Sequence, residues 1–283
     1  MKKKINIFIF YKGGLGNQFF QYFFAMSLSA GYDSTIYFIK SPMSMINIKR
    51  KFTILDFKNI KSSNLLNTYK KIIKSILSLD FQFIIEKDQF KFQEYLLCKR
   101  NIFIFGYWQS FKYLKKINVN FDKKNFSKKF IKNHISKTLE IKILESNSVA
   151  VHFRRGFESE SSKTLNYHGV LDLSYYKKSI DLILKKVSKA HFFLFSDDID
   201  WLKKNSNDII GTNISYSIID IKNQSIEFYL MSICKHNIIA NSSYSWWAAY
   251  FNNFNNKIII SPKKWLSNST NFTDLIPHHW FQI

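Results

Sequence analysis

Three apolar runs in the second half of the chain are each followed by polar residues and then by a helical pattern. Runs of this kind are typical of buried parallel strands, and their alternation with helices predicts an α/β fold. The carboxyl ends of parallel strands lie on one edge of the sheet, where α/β proteins bind ligands. The runs and their followers are Val149–Phe153 with Arg154 and Arg155, His191–Phe195 with Ser196, Asp197 and Asp198, and Asn237–Ala240 with Asn241, Ser242 and Ser243.

The adjacent arginines after the first run are the strongest chemical signal. Two planar guanidinium groups at a strand end can hold a phosphate group through paired hydrogen bonds. The alternative is an ordinary ion pair with a nearby carboxylate. His152 lies within the strand, and strand alternation places it on the same side as Arg154. It is either part of the site or a hydrogen-bonded core histidine.

The polar residues after the other two runs also allow two interpretations. Asp197 and Asp198 either cap a helix that begins near Ile199 or accept hydrogen bonds from a nucleobase or ribose. The hydroxyls that follow Asn241 stand at the start of a short aromatic helix. Hydroxyls and free backbone amides at such a position bind phosphate, and they also serve as simple helix caps.

The first half opens with a predicted strand at Ile5–Phe10, a glycine turn and a helix to about Ser29. Gly14-Leu15-Gly16 begins like a dinucleotide fingerprint, but Phe19 occupies the third glycine position. A tight turn alone would explain the glycines, whereas the amides of Asn17 and Gln18 could bind sugar hydroxyls or phosphate. After a predicted strand at Asn101–Phe105, the segment Gly106–Ser110 fits either sugar stacking or core packing.

The composition limits the compartment and the partners. The 283 residues carry a formal charge of +22. This charge either reflects lysines scattered over the surface or serves to attract an anionic substrate or the anionic inner membrane surface. The sequence contains no motif typical of nucleic-acid-binding proteins, so a nucleic acid is not an expected partner. Cys98 and Cys234 are far apart, which favours a reducing compartment, and no apolar run is long enough to span a membrane. We therefore expect a cytoplasmic protein.

Five motifs in order resemble glycosyltransferase family 11, the bacterial α-1,2-fucosyltransferases that use GDP-fucose. The resemblance extends from Lys12 to Trp265 and is weakest across residues 41–100. It implies a GT-B-like α/β fold, with two Rossmann-like domains whose parallel sheets face a central cleft, and inversion at the fucose anomeric carbon without a metal ion. The motifs are "GGLGNQ", "VHFRRGF", "YHGVLDLSYYKKSI", "FSDD" and "NSSYSWWAAYF".

The resemblance also implies roles for individual residues. Arg154 and Arg155 would hold the diphosphate, with His152 beside them, and Asp197, with its neighbour Asp198, would bind the base. The hydroxyls of the last motif would bind phosphate, and the glycine turn would contribute its asparagine. The hydroxyls of the last motif are those of Ser242, Ser243 and Ser245. The residues of the glycine turn are Gly14, Gly16 and Asn17.

One position departs from the family pattern. The family usually reads HxRRGD, whereas this chain has Phe157 followed by Glu158. Either Glu158 replaces the missing acid as a catalytic group, or that acid is not essential, or the chain is impaired or altered in its acceptor. An inverting transfer needs a general base for the acceptor hydroxyl. The nearest candidates are Glu158, Glu160, His168 and Asp172.

The sequence thus predicts an inverting transferase that moves fucose from GDP-fucose to the 2-hydroxyl of a terminal galactose. The acceptor would be a surface-glycan or lipid-linked oligosaccharide. Residues 1–145 would form an acceptor-side domain and residues 146–283 a GDP-sugar-binding Rossmann-like domain. A metal-binding DxD motif is a third interpretation of Asp197 and Asp198, but these acids are adjacent and lack its spacing. The arginines already supply countercharge, so no metal cofactor is expected. The alternatives are a transferase for another nucleotide sugar and a catalytically impaired glycan-binding protein.

Overall fold

A computed structural model describes residues 4–40, 65–119, 123–124, 127, 131, 134–155, 169–267 and 272–283. The chain divides into two compact units. Unit 1 comprises Met1–Asn120 and Phe272–Pro277, and unit 2 comprises Phe121–Asn271 and His278–Ile283.

Unit 1 is built on a four-stranded parallel sheet in the order β2-β1-β4-β3. Helix α1 buries a run of phenylalanines, and Phe8, Tyr37 and Phe103 stack as neighbouring rings on three adjacent strands. The elements are β1 Lys4–Tyr11, α1 Leu15–Leu28, β2 Asp33–Lys40, α2 Leu65–Leu77, β3 Phe81–Ile85, β4 Asn101–Phe105 and a 3₁₀ helix Phe111–Lys116.

Unit 2 is built on a six-stranded parallel sheet in the order β10-β9-β8-β5-β6-β7. The elements are α3 His134–Glu145, β5 Asn147–Phe153, α4 Leu173–Lys186, β6 Ala190–Ser196, α5 Ile199–Ile210, β7 Tyr216–Ile218, α6 Gln224–Ile233, β8 His236–Ile238, α7 Ser243–Tyr250, β9 Ile259–Ser261 and β10 Phe281–Gln282.

The core of unit 2 explains why its strands read as continuous apolar runs. Strands β5 and β6 are central, and their side chains are buried almost without interruption because helices cover both faces of such a sheet. Trp246 and Trp247 of α7 are also fully buried. The burial of each large apolar side chain stabilises the fold by about 1.5–3 kcal/mol. The strand ends are therefore anchored in a well-packed core.

The strand order of unit 2 fixes where a ligand would bind. From β5 the chain moves to β6 and β7 on one side, and it then returns to β8 on the other side of β5. The adjacent carboxyl ends of β5 and β8 therefore form the topological switch point, which is the usual ligand position in open parallel sheets.

The parallel α/β architecture confirms the predicted fold class, and the predicted strands and helices are found within a few residues. The division between the units falls after residue 120 rather than at residue 145, because α3 packs in unit 2. Tyr229 of α6 donates a hydrogen bond to Glu140 of α3, and Lys142 donates one to Ser217. The functional roles assigned to the two domains stay predictions.

Candidate functional site

Arg154 and Arg155 follow β5 directly at the switch point of unit 2. Arg154 is one-third exposed, and its Nη1 lies 3.4 Å from Oδ2 of Asp197. The backbone N–H of Arg155 donates a 2.8 Å hydrogen bond to Oδ1 of the same carboxylate. Asp197 therefore holds the arginine turn in place from the end of β6.

The guanidinium group of Arg155 lies over the ring of Trp201, 4.0 Å from its centroid. Stacking on an aromatic face orients the planar group without using its five N–H donors. The two arginines thus have different supports, a carboxylate for Arg154 and an indole for Arg155. Both remain partly accessible at the sheet edge, which suits the binding of an anion.

Asp198 is the N-cap of α5, and its carboxylate accepts a 2.9 Å hydrogen bond from the backbone N–H of Trp201. Its own N–H donates to the hydroxyl of Ser196 at 3.0 Å. The structure thus places Asp198 in the capping role that the sequence allowed. A contact between Asp198 and a ligand stays a prediction.

The start of α7 follows β8, the strand that lies beside β5 at the switch point. Ser242 is the N-cap, and its hydroxyl accepts from the N–H of Tyr244. Ser242 and Ser243 are partly exposed, whereas Ser245 is fully buried and its hydroxyl donates to the carbonyl of Ser242 at 3.2 Å. The structure therefore brings Ser242 and Ser243, but not Ser245, to the surface where the amides of the first turn could meet an anion.

His152 lies in β5, two residues before the arginine turn, and is 4% exposed. Its ring centroid is 5.9 Å from that of Tyr244, and the described part of the chain offers its Nδ1 no hydrogen-bond partner. Burial lowers the pKa of His152 to about 4, with the Asp197 carboxylate opposing the shift and Arg154 adding to it. The imidazole is therefore neutral at pH 7.

This neutral histidine predicts a loss of stability in acid. The unfolded state binds the proton near pH 6.5 and the folded state only near pH 4, so the free energy of unfolding falls as the pH drops through this interval. The loss amounts to at most about 3 kcal/mol. Urea unfolding at several pH values should show that the free energy of unfolding depends less steeply on pH in His152→Gln than in the unmodified protein. The exposed His134→Gln should keep the slope of the unmodified protein, and an unchanged slope in His152→Gln would contradict the assignment.

Sequence reasoning missed Glu227, which lies in the first turn of α6 and is half-buried. Its Oε2 is 3.5 Å from the hydroxyl of Tyr244, which donates its proton to the carbonyl of Gln224 at 2.6 Å. Burial raises the pKa of Glu227 to about 8, and the nearby Asp197 carboxylate adds to the rise. The only sequence signal was an acid in the first turn of a helix, which usually reflects the helix dipole.

The glycine turn and its asparagine belong to unit 1. Gly13, rather than Gly14 or Gly16, needs the freedom of glycine, because its φ is +77° and a Cβ there would lie 2.5 Å from the amide of Asn17. Gly14 precedes α1 and Gly16 is buried within it. The Oδ1 of Asn17 accepts a 2.7 Å hydrogen bond from Gln109, so this side chain ties the glycine turn to the turn after β4.

The turn after β4 is held by the half-buried carboxylate of Glu86. Glu86 accepts hydrogen bonds from the backbone N–H groups of Tyr107 and Trp108 at 2.7 and 2.6 Å, and burial raises its pKa. Trp108 is buried and stacks on Phe24 with ring centroids 3.9 Å apart, so it is a core residue. Tyr107 is partly exposed under the ammonium group of Lys12 and could stack against a sugar ring.

Most candidates for the general base lie outside the described residues, namely Glu158, Glu160 and His168, as does Phe157. Asp172 is exposed and caps α4, where its carboxylate accepts from the N–H of Ser174 at 2.7 Å. Hydrogen bonds from Ser174 lower the pKa of Asp172. A carboxylate with a lowered pKa is a weaker proton acceptor, which makes Asp172 the less suitable choice.

Among the described residues, no cluster of three His, Cys, Asp or Glu side chains is suited to a metal ion. Within the same ranges, no helix has the length and apolarity needed to cross a bilayer.

Comparisons with known proteins agree with this architecture. An α-1,2-colitosyltransferase of Escherichia coli is 29% identical over 300 residues, covering 96% of each chain. The O-antigen biosynthesis glycosyltransferase WbnK of Escherichia coli is 34% identical over 141 residues, covering 49% of this chain and 45% of that protein. The structure of POFUT1 in complex with GDP has a TM-score of 0.51 at 11% identity, covering 92% and 98% of the two chains, and shows the shared GT-B fold.

The model of glycosyl transferase family 11 matches residues 1–282. This match spans both units and includes the arginine turn and the start of α7. The chain belongs to glycosyltransferase family 11.

Proposed function

We propose that the protein transfers a deoxyhexose, fucose in the first instance, from its GDP derivative to the 2-hydroxyl of a terminal galactose. The observation that carries this proposal is that Arg154 and the first turn of α7 follow the neighbouring strands β5 and β8 at one topological switch point. Both are donors to anions, and they sit where a parallel sheet binds nucleotides. The family motifs favour fucose, and the α-1,2 linkage in the relative's name favours the 2-hydroxyl.

The chemistry follows from the charges at this edge of the sheet. The acceptor hydroxyl gives its proton to a general base, and its oxygen forms a bond to the anomeric carbon as the bond between that carbon and the β-phosphate oxygen breaks, so the configuration inverts. GDP then leaves with an additional negative charge, which Arg154, Arg155 and the amides of α7 stabilise. These groups supply the countercharge for which other transferases use a divalent cation, so we propose that no metal ion is required.

Colitose is the second candidate sugar, because the relative that matches along the whole chain is a colitosyltransferase. Colitose is fucose without its 3-hydroxyl group, so the two donors share the nucleotide and differ at one position of the sugar. A site that hydrogen-bonds the 3-hydroxyl would reject colitose, since its polar groups would be left unpaired.

We place the acceptor on a surface glycan or a lipid-linked oligosaccharide, in keeping with the O-antigen role in the name of the second relative. The formal charge of +22 would draw such an enzyme to the anionic inner face of the membrane as a peripheral protein. Tyr107 and the amides around Gln109 in unit 1 are the groups that we assign to the acceptor.

The test is a transfer assay with purified protein. GDP-fucose, GDP-colitose and a UDP-sugar are incubated with a panel of galactosides, and GDP release and product masses are measured. We expect a product one deoxyhexose heavier than the acceptor, formed from a GDP donor and absent when the acceptor is 2-deoxygalactoside. Transfer from the UDP-sugar alone would contradict the donor assignment. Glycan binding without any nucleotide release would show a catalytically impaired homologue.

A further inference from the structure

Helix α2 of unit 1 turns one narrow stripe towards the sheet. Thr68, Ile72 and Ser75 form this stripe with the spacing i, i+4, i+7, and Ile72 packs against the stacked rings of the sheet. A second stripe of similar spacing is apolar but exposed, with Leu77 79% accessible to solvent. Surface helices normally expose polar residues, so this second stripe indicates a partner. Its members are Tyr69, Ile73, Ile76 and Leu77.

The exposed stripe lies on the same side of α2 as an exposed part of the sheet. Lys71, on the opposite flank of the helix, places its ammonium group 4.8 Å from the ring centroid of Tyr37 on β2. The exposed stripe therefore faces the other edge of the sheet, which is β3. Phe83 and Ile85 of β3 share a sheet face with Phe81, which packs against the same rings as α2, and they are 53% and 61% exposed. The two sets form the unit 1 apolar surface, namely Tyr69, Ile73, Ile76, Leu77, Phe83 and Ile85.

Basic side chains border the unit 1 apolar surface. Helix α2 has no acidic residue, and Lys70 and Lys74 are exposed on its other flank. Beyond the end of α2, the ammonium group of Lys99 donates to the carbonyl of Leu79 at 3.4 Å. Long basic side chains keep their charge in water while their stems lie along an apolar surface. Apolar residues flanked by cations match the boundary between the headgroups and the acyl chains of an anionic bilayer.

A second copy of this chain is the competing occupant of the surface. Pairing two copies through it would bring the lysines of both α2 helices together, and the repulsion between like charges grows as water is excluded. Each copy also carries a formal charge of +22. A bilayer that contains anionic lipids places the opposite charge beside each lysine, so charge complementarity favours the membrane.

We propose that the unit 1 apolar surface docks on an anionic lipid bilayer. The exposed stripe of α2 enters the boundary between headgroups and acyl chains, and Lys70 and Lys74 meet the lipid phosphates. Such docking assigns membrane contact to one face of unit 1, whereas attraction by scattered charge would favour no face. It would confine the enzyme to the surface that holds a lipid-linked acceptor, and it does not depend on the identity of the donor sugar.

Sedimentation of the full chain with vesicles tests the docking. We expect binding to vesicles of equal parts phosphatidylcholine and phosphatidylglycerol, and binding about tenfold weaker or less to phosphatidylcholine alone. The double variant Ile73→Glu/Ile76→Glu should bind the anionic vesicles about 10- to 100-fold more weakly, because two apolar side chains no longer enter the bilayer. Ile135→Glu/Ile141→Glu makes the same exchange at two exposed isoleucines of α3 and has the same net charge, so its affinity should fall by no more than about threefold.

A second pair of substitutions tests the charged border without touching the apolar residues. Lys70→Ala/Lys74→Ala should weaken binding to the anionic vesicles by about 10- to 30-fold, because two cations near the lipid phosphates are lost. Its binding should also depend less on salt than that of the unmodified protein, since fewer exposed charges remain to be screened. Unchanged affinity of this variant would contradict the orientation of α2 on the bilayer.

The remaining outcomes separate the membrane from its rival. Equal losses in the two isoleucine double variants would overturn the inference, because binding would then follow net charge alone. A self-associated protein that Ile73→Glu/Ile76→Glu converts to a monomer in analytical ultracentrifugation would overturn it as well, in favour of a second copy. Turnover of GDP-fucose with a soluble galactoside is measured without vesicles, and its absence in the unmodified protein would refute the proposed function alone.

Discussion

Replacement of Arg154 by alanine is expected to reduce kcat by about 10²- to 10³-fold, the cost of removing a strong donor to a developing charge. The guanidinium group stands at the switch point, is one-third exposed and is aligned by Asp197. In the proposed reaction the bond to GDP breaks with growing negative charge on the β-phosphate, which the Arg154 guanidinium group would stabilise. Turnover of GDP-fucose under saturating acceptor, followed by GDP release, measures the effect.

Two further variants make this result specific. Arg154→Lys keeps the charge but loses the planar fork, so its kcat should fall between those of the unmodified protein and Arg154→Ala. Arg100→Ala removes a highly exposed arginine whose Nε lies 3.8 Å from Oδ2 of Asp80, and its kcat should be unchanged. Near-normal turnover of folded Arg154→Ala, with folding verified by circular dichroism, would refute the assignment.

Replacement of Trp108 by alanine is expected to lower the free energy of unfolding by about 3–5 kcal/mol. The indole is 1% exposed and stacks on Phe24 with an interplanar angle of 8°. Its backbone has a φ of +59°, a region that non-glycine residues rarely adopt, and the N–H is held by Glu86. Removal of the side chain leaves a cavity beneath the turn after β4. Urea unfolding monitored by circular dichroism measures the loss.

The neighbouring Tyr107 is the matched control. It is partly exposed, so Tyr107→Ala should cost about 1 kcal/mol or less in stability. If its ring stacks on the acceptor sugar, the same variant should raise the KM for the galactoside and leave the KM for the donor unchanged. Equal stability of the two alanine variants would contradict the division into a core residue and a surface residue.

The fold of unit 2 could be predicted because its strands are buried on both faces. Such strands read as uninterrupted apolar runs, and the residues that end them are polar, so both the strands and the ligand edge are visible in the chain. Two short strands of unit 2, Tyr216–Ile218 and Phe281–Gln282, were not predicted. Tyr216–Ile218 spans three half-buried residues, which carry too little periodicity to be distinguished from a loop.

The site was predictable only in part. Arg154 and Ser242 belong to two separate sequence motifs. The parallel topology of the sheet places the strands that precede them, β5 and β8, next to each other. The ion pair between Arg154 and Asp197 and the exposure of Glu227 depend on how residues far apart in the chain pack, which no local pattern encodes. Ser245 was predicted to bind phosphate with its neighbours, but its hydroxyl is fully buried, which the sequence motif does not reveal.

Structure determination of the protein with bound GDP tests the central claim most directly. We predict density for the diphosphate within hydrogen-bonding distance of both the Arg154 guanidinium group and the backbone N–H groups that begin α7. A diphosphate bound elsewhere, with the ion pair between Arg154 and Asp197 unchanged, would contradict the account.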